Sequence, residues 1–333
     1  MSRNLARPWL LPLVPLYVAA VALRNRRFDR APQSIRRLAR PVVSIGNLSA
    51  GGSGKTPLTI ALAKVLTQRG LQVDVLSRGY GRQSTLPARV DPNGDARDLG
   101  DEPLLISRAS RVPVYVAPER YDAGLLAESE SPASSSGPAI HLLDDGFQHR
   151  QLARAVDIVL LSRADLHDTL LPAGNLREPL RSLRRAHILA IPAEDSTIEQ
   201  ALRARGLHQP VWRLRRVMDV PPVDGPVLAF CGIARPAQFF SGLEAAGLNL
   251  SARVAFRDHH TYTRADLDRL ESKARTSGAV ALLTTEKDLA RLAPLLAAAP
   301  APLPLLTAPL RIEIENDSAA LDWLLAYLSL KPR

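Results

Sequence analysis

The sequence is poor in cysteine and in aromatic residues. Cys231 is the one cysteine among 333 residues, which excludes a disulfide framework and argues against zinc-finger chemistry. Aromatic residues make up 5% of the chain but apolar residues make up 46%, so there is enough material for a hydrophobic core. These figures are typical of a protein from a reducing compartment, and the length predicts one large or two ordinary domains.

Acidic residues are nearly missing from the first forty positions, where Asp29 is the one acid. Nine arginines in this stretch bring its charge to +8, out of +10 for the whole chain: Arg3, Arg7, Arg24, Arg26, Arg27, Arg30, Arg36, Arg37 and Arg40. A nucleic-acid-binding protein needs positive charge spread over a folded face, so we expect no nucleic-acid partner. The charge instead flanks an apolar segment at residues 9–23, which is the pattern of a segment that meets an anionic membrane surface.

Four interpretations compete for residues 9–23. Fifteen residues rise about 22 Å as a helix, short of the roughly 30 Å needed to cross a bilayer. A secretory signal peptide fits the Ala-Val-Ala at 20–22, but it conflicts with the nucleotide site described below, because ATP is supplied in the cytosol. Pro12 and Pro15 would break a buried core helix. An interfacial anchor is therefore favoured.

Short apolar runs alternate with helix-length patterns from residue 41 onward. The predicted strands are 41–45, 73–76, 112–116, 140–143, 158–161, 188–191, 227–230, 254–256 and 280–284, and predicted helices include 56–69 and 318–330, with others beginning at 236 and 264. Such alternation predicts a mainly parallel sheet covered by helices on both faces.

Two breaks interrupt this alternation. Residues 128–138 are rich in serine and predict a surface loop, and the proline- and glycine-rich residues 221–226 predict an interdomain linker. The predicted divisions are a basic membrane-associating segment at 1–40, a P-loop domain at 41–220 and a second α/β domain at 221–333. We expect the two domains to fold without residues 1–27, since the strand and helix pattern begins after them.

Residues 49–56 match the phosphate-binding loop G-x-x-x-x-G-K-[ST] at every fixed position except the first. The candidate nucleotide-binding residues are Ser49, Ala50, Gly51, Gly52, Ser53, Gly54, Lys55 and Thr56. A predicted strand precedes the loop and a helix follows it, so backbone N–H groups would surround phosphate oxygens at the helix N-terminus. Lys55 would reach the β- and γ-phosphates and Thr56 would ligate Mg²⁺, which predicts ATP and Mg²⁺ as cofactors.

Two acidic motifs follow this loop in the sequence. Asp144 and Asp145 end a predicted strand, where a carboxylate can hold Mg²⁺, although paired acids at a strand end can also be turn formers. Beside a phosphate loop the metal interpretation is favoured. The sequence Gly-Asp-Glu-Pro at 100–103 precedes a helical run, and its spacing alone favours a helix cap at Asp101.

These motifs occur with others in an order that resembles one known family. The further motifs are SRGYG at 77–81, LPAG at 171–174, LREP at 176–179, FCGI at 230–233, DHH at 258–260 and TEKD at 285–288. Together with the phosphate loop, GDEP and DDGFQH at 144–149, they resemble the tetraacyldisaccharide 4′-kinases of lipid A biosynthesis nearly end to end. Ser49 departs from the general phosphate-loop motif but not from this family.

The resemblance implies an activity and a place in the cell. The γ-phosphoryl group of ATP would pass to the 4′-hydroxyl of a tetraacylated glucosamine disaccharide 1-phosphate, forming lipid IVA. The fold implied is α/β, with two α/β/α sandwich domains, the first binding the nucleotide, an active site in the cleft between them and an N-terminal interfacial membrane helix. We expect a monomer on the cytoplasmic face of the bacterial inner membrane, peripheral or monotopic, with an anionic membrane surface as its partner.

The resemblance also implies roles for particular residues. Asp101 would be the base that accepts the proton of the sugar hydroxyl, and His259 would be its partner from the second domain. Asp144 and Asp145 would serve Mg²⁺ with Thr56. The side chains implied to line the site are Arg120, Gln148, His149, Arg177 and Glu178.

Two rival classes share parts of this pattern. Partitioning-type ATPases use a similar loop but have a lysine at its second position, where this chain has Ala50. GTP-binding proteins read guanine with N-K-x-D, which Ser162-Arg163-Ala164-Asp165 imitates in a degenerate form that is better explained as a turn. Both features favour a kinase over a nucleotide-dependent switch.

Overall fold

The chain forms two separate β-sheets. The computed structural model describes residues 7–51, 54–131, 138–298 and 303–329. Its strands are β1 (Val42–Asn47), β2 (Gln72–Ser77), β3 (Ala88–Arg89), β4 (Val114–Val116), β5 (Ala139–Asp144), β6 (Val156–Leu160), β7 (Ile188–Pro192), β8 (Val211–Met218), β9 (Val227–Cys231), β10 (Leu250–Ala255), β11 (Ala281–Thr284), β12 (Leu305–Thr307) and β13 (Leu310–Ile314).

Helices lie between most of these strands. The α-helices are α1 (Val14–Arg30), α2 (Lys55–Gln68), α3 (Ala96–Leu99), α4 (Asp101–Ser110), α5 (Arg120–Glu130), α6 (Ser196–Arg203), α7 (Pro236–Ala245), α8 (Arg264–Thr276), α9 (Glu286–Ala298) and α10 (Asp317–Ser329). Short 3₁₀ helices cover Pro8–Leu13, Pro32–Ser34, Arg163–Leu166 and Leu180–Arg185.

The larger sheet has nine strands in the order β13-β8-β7-β6-β1-β5-β2-β4-β3. Its pairings are parallel except at the two edges, where β13 and β3 run antiparallel to their neighbours. Side chains alternate between the faces of each strand: Val43 and Ile45 of β1 pack with α2, α4 and α10, whereas Val42 packs with α5 on the other face. Helices therefore cover both faces, which is the predicted α/β/α sandwich.

The smaller sheet has four parallel strands in the order β10-β9-β11-β12. On β11, Ala281 and Leu283 pack against α7, and the intervening Leu282 packs against α8 and α9 on the opposite face. The second unit is thus also a three-layered sandwich, and the α/β fold prediction is confirmed.

The chain crosses twice between the two sheets, and the second crossing differs from the predicted division at 221–333. Residues 221–226 lead from β8 into β9, as the linker prediction required. After β12, however, β13 returns to the larger sheet and pairs with β8, and Leu321 and Leu324 of α10 join the core of that sheet. Residues 310–329 therefore complete the first sandwich, because Ile312, Leu321 and Leu324 are buried in its core.

The N-terminal segment is helical over a greater length than the apolar run suggested. The 3₁₀ turn Pro8–Leu13 accommodates Pro12, and Pro15 lies in the first turn of α1, where proline is tolerated. Together they form 23 helical residues whose length and composition suffice for a membrane span, with 6% of the most apolar stretch buried. At about 38 Å this segment exceeds the 15-residue estimate, so length by itself does not exclude a span.

The basic half of α1 is docked on the larger sandwich. Asn25 donates to Glu178 at 2.9 Å, Arg150 pairs with Asp29 at 2.6 Å, and the Arg150 guanidinium lies over the Phe28 ring. Residues 1–27 thus contact the larger sandwich through Asn25, and folding of the two domains without them stays a prediction. These contacts hold the second half of the helix against protein rather than lipid.

Candidate active site

The glycine-rich loop at residues 49–56, the candidate phosphate loop, lies at the carboxyl end of β1, near the middle of the larger sheet. Gly51 and Gly54 adopt φ values of +101° and +95°, which only glycine adopts without strain, so the motif's glycines are required by the turn. Lys55 opens α2 and its Nζ donates to Asn47 Oδ1 at 3.1 Å. Gly52 and Ser53 lie outside the described residues.

The two aspartates at the end of β5 occupy different environments. Asp144 is buried and accepts from Thr59 at 3.4 Å. Burial, followed by the charges of Glu102 and Asp145, raises the pKa of Asp144 to about 7. Asp145 instead lies 3.6 Å from Lys55 and 2.9 Å from Arg177. Burial alone would raise the pKa of Asp145, but those two cations lower it.

Residues 169–177 run alongside the phosphate loop and fix Arg177. Ala50 N donates to Asn175 O at 2.8 Å and Arg177 N donates to Leu48 O at 2.7 Å. From there Arg177 reaches Asp145 and lies 3.4 Å from Gln148 Oε1, while Gln148 Nε2 donates to Asn47 O at 2.9 Å. The structure therefore brings Lys55, Asp145, Gln148 and Arg177 together, as the sequence predicted.

Glu178 and His149 do not face the nucleotide loop. Glu178 is fully buried and contacts Asn25, Arg24 and Arg185, so it joins α1 to the larger sandwich. His149 is nearly buried, and burial, then the charges of Arg120 and Arg154, lower its pKa to about 3. It is therefore a neutral imidazole at physiological pH.

Arg120, the first residue of α5, lines the cleft between the sheets although most of its surface is covered. It donates to Pro118 O at 3.3 Å. Burial, followed by the charge of Arg78, lowers the pKa of Arg120, while Asp145 and Asp144 partly offset this effect. The guanidinium is thus electrostatically linked to both aspartates at the end of β5.

Asp101 and His259 come from different sheets and meet at the cleft. Asp101 opens α4 on the larger sandwich, and its Oδ2 lies 3.2 Å from Nδ1 of His259, which follows β10. Arg291 of α9 pairs with the same carboxylate and places its NH2 3.1 Å from His259 Nδ1. Burial alone would raise the pKa of Asp101, but the hydrogen bond with His259 and the Arg291 charge hold it well below its usual range.

His259 is the member of this pair that faces the cleft. Its side chain is 42% exposed against 9% for Asp101, and its ring lies 5.8 Å from that of Tyr80 on the opposite wall. The hydrogen bond to Asp101 raises the pKa of His259 above its ordinary value. A second ion pair across the sheets joins Lys287 Nζ to Glu102 Oε1 at 2.5 Å.

Arg291, Lys287 and Asn47 are functional candidates that the sequence did not identify. Lys287 belongs to the TEKD motif, and Arg291 follows it by four residues on α9, so both lie on one helix face. That spacing was the available signal for Arg291. Nothing local marks Asn47, whose role depends on its position at the end of β1.

The cleft between the sheets has a volume of about 990 Å³, which is ample for a nucleotide and a sugar headgroup. Its polar wall carries Lys55, Arg177 and His259. Its apolar wall includes Ile60 and Phe239. The cleft is therefore lined by both charged and apolar side chains.

The guanine-reading alternative finds no support in the local geometry of residues 162–165. Ser162 and Asp165 form a reciprocal capping box at the start of a 3₁₀ helix. Arg163 pairs with Asp195 on the surface at 2.7 Å. These side chains stabilise a turn, which is the interpretation favoured from the sequence.

A parallel sheet with a glycine-rich loop before a helix, and a cleft lined by a lysine and carboxylates, define the class of nucleotide-dependent phosphotransferases. Within that class the comparisons are specific. A family profile described as tetraacyldisaccharide-1-P 4′-kinase matches residues 6–329. The chain belongs to this family.

Individual relatives agree with that membership. A tetraacyldisaccharide 4′-kinase of Koribacter versatilis is 44% identical over 322 residues, covering 93% of this chain and 96% of the relative. One from Nitrobacter winogradskyi is 40% identical over 294 residues, covering 85% and 82%. The crystal structure of LpxK from Aquifex aeolicus in complex with ATP is 30% identical, with a TM-score of 0.73 and coverage of 96% and 98%.

Proposed function

We propose that this chain phosphorylates the 4′-hydroxyl of a tetraacyldisaccharide 1-phosphate with ATP in the cleft between its two sheets. Family membership makes it an ATP-dependent kinase of lipid A biosynthesis. The observation that carries the assignment of the cleft is the Asp101–His259 pair, which joins the two sandwiches and whose His259 lines the same cleft as Lys55. A proton acceptor and a phosphate loop in one cleft are what phosphoryl transfer to a hydroxyl requires.

The phosphate loop is proposed to hold the triphosphate through its backbone N–H groups and Lys55. Asp145 and Asn47 hold the Lys55 ammonium at the mouth of the loop, ready for the β- and γ-phosphates. Arg177, fixed by Asp145 and Gln148, is proposed to offset the charge that develops on the transferred group. Arg120 adds positive potential to the same region.

The residues beside the loop fit Mg²⁺. The described residues include no group of three His, Cys, Asp or Glu side chains suited to a metal. A P-loop site needs fewer protein ligands, namely one loop hydroxyl and one carboxylate, with phosphate and water oxygens completing the shell. Thr56 and Asp144 meet this need, and the ion would neutralise phosphate charge. Asp145 is engaged by Lys55 and Arg177, so we propose it as a positioning residue.

The Asp101–His259 pair is proposed to remove the proton of the sugar hydroxyl as the new P–O bond forms. The sequence suggested Asp101 as the base. The exposure of the two side chains instead favours His259 as the group that contacts the hydroxyl. Asp101 would orient the ring and stabilise its positive charge, as an aspartate does behind a catalytic histidine. Arg291 would hold that aspartate in place.

The N-terminal segment is proposed to lie in the cytoplasmic face of the inner membrane. Trp9, Leu16 and Leu23 are exposed apolar side chains on the 3₁₀ turn and α1, followed by the arginines of the basic half. An acylated substrate explains this anchor, since its chains stay in the bilayer while the sugar enters the cleft. We propose that one monomer carries out the reaction, because both members of the proton-accepting pair come from one chain.

Incubation of the purified protein with ATP, Mg²⁺ and the acylated disaccharide 1-phosphate tests this function. Mass spectrometry should find one added phosphate on the lipid, and fragmentation should place it on the 4′-hydroxyl. Two results would contradict the proposal: nucleotide turnover that is supported by GTP alone, and hydrolysis of ATP without phosphorylation of the lipid. Either result would favour a nucleotide-dependent switch.

A further inference from the structure

Arg216 lies beside the phosphate loop although it is 160 residues away in sequence. It sits near the carboxyl end of β8, which runs parallel to β7, and β1 ends in the phosphate loop at the same edge of the sheet. A Cβ built on Gly54 would lie 3.4 Å from the Arg216 NH2. The guanidinium therefore packs over the backbone of the residue that precedes Lys55.

A residue of the smaller sandwich holds this guanidinium. Arg216 NH1 donates to Oε1 of Gln238 on α7 at 3.0 Å. Both side chains are accessible from the cleft and line it together with Gly54 and Lys55. Gln238 therefore links the position of Arg216 to the position of α7.

The charge around Arg216 favours an anion. The surrounding protein desolvates the guanidinium, and the charge of Arg235 adds to this effect, so the pKa of Arg216 is lowered, with Glu194 offsetting a part. Arg235 lines the same cleft. Arg216, Arg235 and Lys55 thus line one cleft, with the Arg216 guanidinium beside Gly54. A polyanion bound among them relieves their mutual repulsion.

We infer that Arg216 binds the phosphates of the nucleotide that are not transferred, with Gln238 as its positioning residue. In a phosphate loop the glycine before the lysine covers the α- and β-phosphates, and Arg216 lies over that glycine. The planar fork of a guanidinium suits two phosphate oxygens. The smaller sandwich then contributes to nucleotide binding through Gln238, in addition to supplying His259 for the hydroxyl.

This inference rests on the assignment of residues 49–56 as the phosphate loop. Isothermal titration calorimetry of the full chain with Mg²⁺ and ADP provides the test, because ADP retains the α- and β-phosphates and lacks the γ-phosphate. Arg216→Gln should weaken ADP binding about 10- to 100-fold, the range expected for charge-assisted hydrogen bonds. The KM for ATP should rise in the same proportion, and kcat should change less.

Arg215→Gln is the matched control, because Arg215 is the neighbouring residue on β8 and pairs with Glu315 at 3.4 Å. It removes the same charge and should leave ADP affinity unchanged. Arg216→Lys keeps the positive charge but lacks the planar guanidinium that binds two oxygens. If this variant folds, its loss of ADP affinity should lie between those of the unchanged chain and Arg216→Gln. Gln238→Ala should weaken ADP binding severalfold alone and add nothing to Arg216→Gln, since it acts through Arg216.

Two outcomes would overturn the inference. The first is a folded Arg216→Gln protein whose ADP affinity is within twofold of the unchanged chain. The second is an equal loss in Arg215→Gln, which would show a general electrostatic effect. A Lys55→Ala protein that binds ADP and turns over normally would instead contradict the assignment of residues 49–56 as the phosphate loop.

Discussion

His259 and Asp145 adopt left-handed backbone conformations, with φ of +56° and +48°. Residues other than glycine rarely adopt this backbone conformation, and the strain costs on the order of 1 kcal/mol or more. Of the four non-glycine residues with positive φ in the described ranges, these two lie at the cleft. Backbone hydrogen bonds maintain this conformation; for example, His259 N donates to Gly232 O at 3.1 Å. The strain is the kind of cost that a binding site retains to aim a side chain.

Replacement of Lys55 should abolish turnover. Lys55→Ala removes a contact to the β- and γ-phosphates that strengthens in the transition state. Steady-state rates with ATP and the acylated disaccharide provide the measurement. Lys64→Ala, on the exposed face of the same helix, is the matched control and should be nearly silent. Normal activity in Lys55→Ala would contradict the phosphate-loop assignment.

Asp101→Asn should lower kcat by roughly 10²- to 10⁴-fold and leave ATP affinity nearly intact. His259→Ala should produce a similar loss, and the double variant should be little worse than either single variant, because the two side chains act as one unit. Multiplying losses would contradict the pairing. Loss of nucleotide binding with intact chemistry would make Asp101 a structural or metal-binding residue.

The pH dependence of the reaction tests which residue takes the proton. The pKa of His259 is raised by Asp101, so a His259 base is protonated at low pH and becomes competent as pH rises through that pKa. The kcat/KM profile should therefore have an acidic limb above the ordinary histidine value of about 6.5. Asp101→Asn should shift this limb to lower pH. An unmoved limb would assign it to another group.

At the scale of elements, the strand and helix pattern predicted most of the fold, but the edges of the sheets needed long-range information. The strands 140–143 and 158–161 were apparent because they are buried on both faces, and their sequences are apolar except at His141. The strand β8 (Val211–Met218) was missed because three arginines interrupt it, which an edge-proximal strand tolerates. Its partner β13 pairs across about ninety residues of chain, which no local pattern reveals.

The same limit applies to the candidate site. The spacing of the glycine-rich loop identified Lys55, whereas the roles of Asp101 and Arg177 were implied by the family resemblance. Arg216 and Arg291 were missed because their role comes from where β8 and α9 lie in space. Glu178 was grouped with the site through its neighbour Arg177, yet alternate residues of an extended segment point in opposite directions.

The strand β5 (Ala139–Asp144) carries a second buried charge cluster, which predicts a pH-dependent stability. His141 Nδ1 lies 2.5 Å from Asp74 and its Nε2 lies 3.2 Å from Glu128, while Arg40 pairs with Asp74 at 3.0 Å. Burial alone would lower the pKa of His141, but the two carboxylates raise it. The stabilisation from His141 is thus complete below the unfolded-state pKa and is lost as pH rises through the folded-state pKa.

His141→Gln should therefore cost about 3 kcal/mol of unfolding free energy near pH 6, because it removes the imidazolium between Asp74 and Glu128 and leaves Arg40 as the remaining cation of the cluster. The cost should shrink as pH rises to about 9. Urea unfolding at both pH values provides the measurement, and His208→Gln, at an exposed position, is the control. An equal cost at both pH values would mean that His141 is neutral in the folded protein.

At the scale of the whole molecule, the N-terminal segment has two separable roles. Deletion of residues 1–27 should reduce co-sedimentation with anionic vesicles sharply, because apolar area and about 1 kcal/mol per surface arginine are lost. High salt should release part of the intact protein, since screening shortens the reach of the arginines. Vesicle binding that survives the deletion would place the membrane contact elsewhere, and a mature N-terminus near Leu23 would indicate a cleaved signal peptide.

A point variant separates docking from anchoring. Asn25→Ala keeps the apolar half of α1 and removes a hydrogen bond to the buried Glu178. Vesicle binding should be unchanged, whereas the unfolding free energy should fall by about 1–3 kcal/mol, the cost of a buried acceptor left unsatisfied. Calorimetric melting of the variant in detergent would measure this. Unchanged melting would show that Arg24 and Arg185 suffice for Glu178.

The stacking of α1 on residues 173–178, and of that segment on the phosphate loop, has a practical consequence. Arg7 N bonds to Ala173 O and Tyr17 bonds to Arg177 O, and Arg177 N bonds in turn to Leu48 O. Residues 173–178 thus separate the N-terminal helix from the glycine-rich loop. A truncated, water-soluble version made for inhibitor screening would lack the bonds from Arg7 and Tyr17 to the segment that contacts this loop, so compounds selected on it should be retested on the full chain.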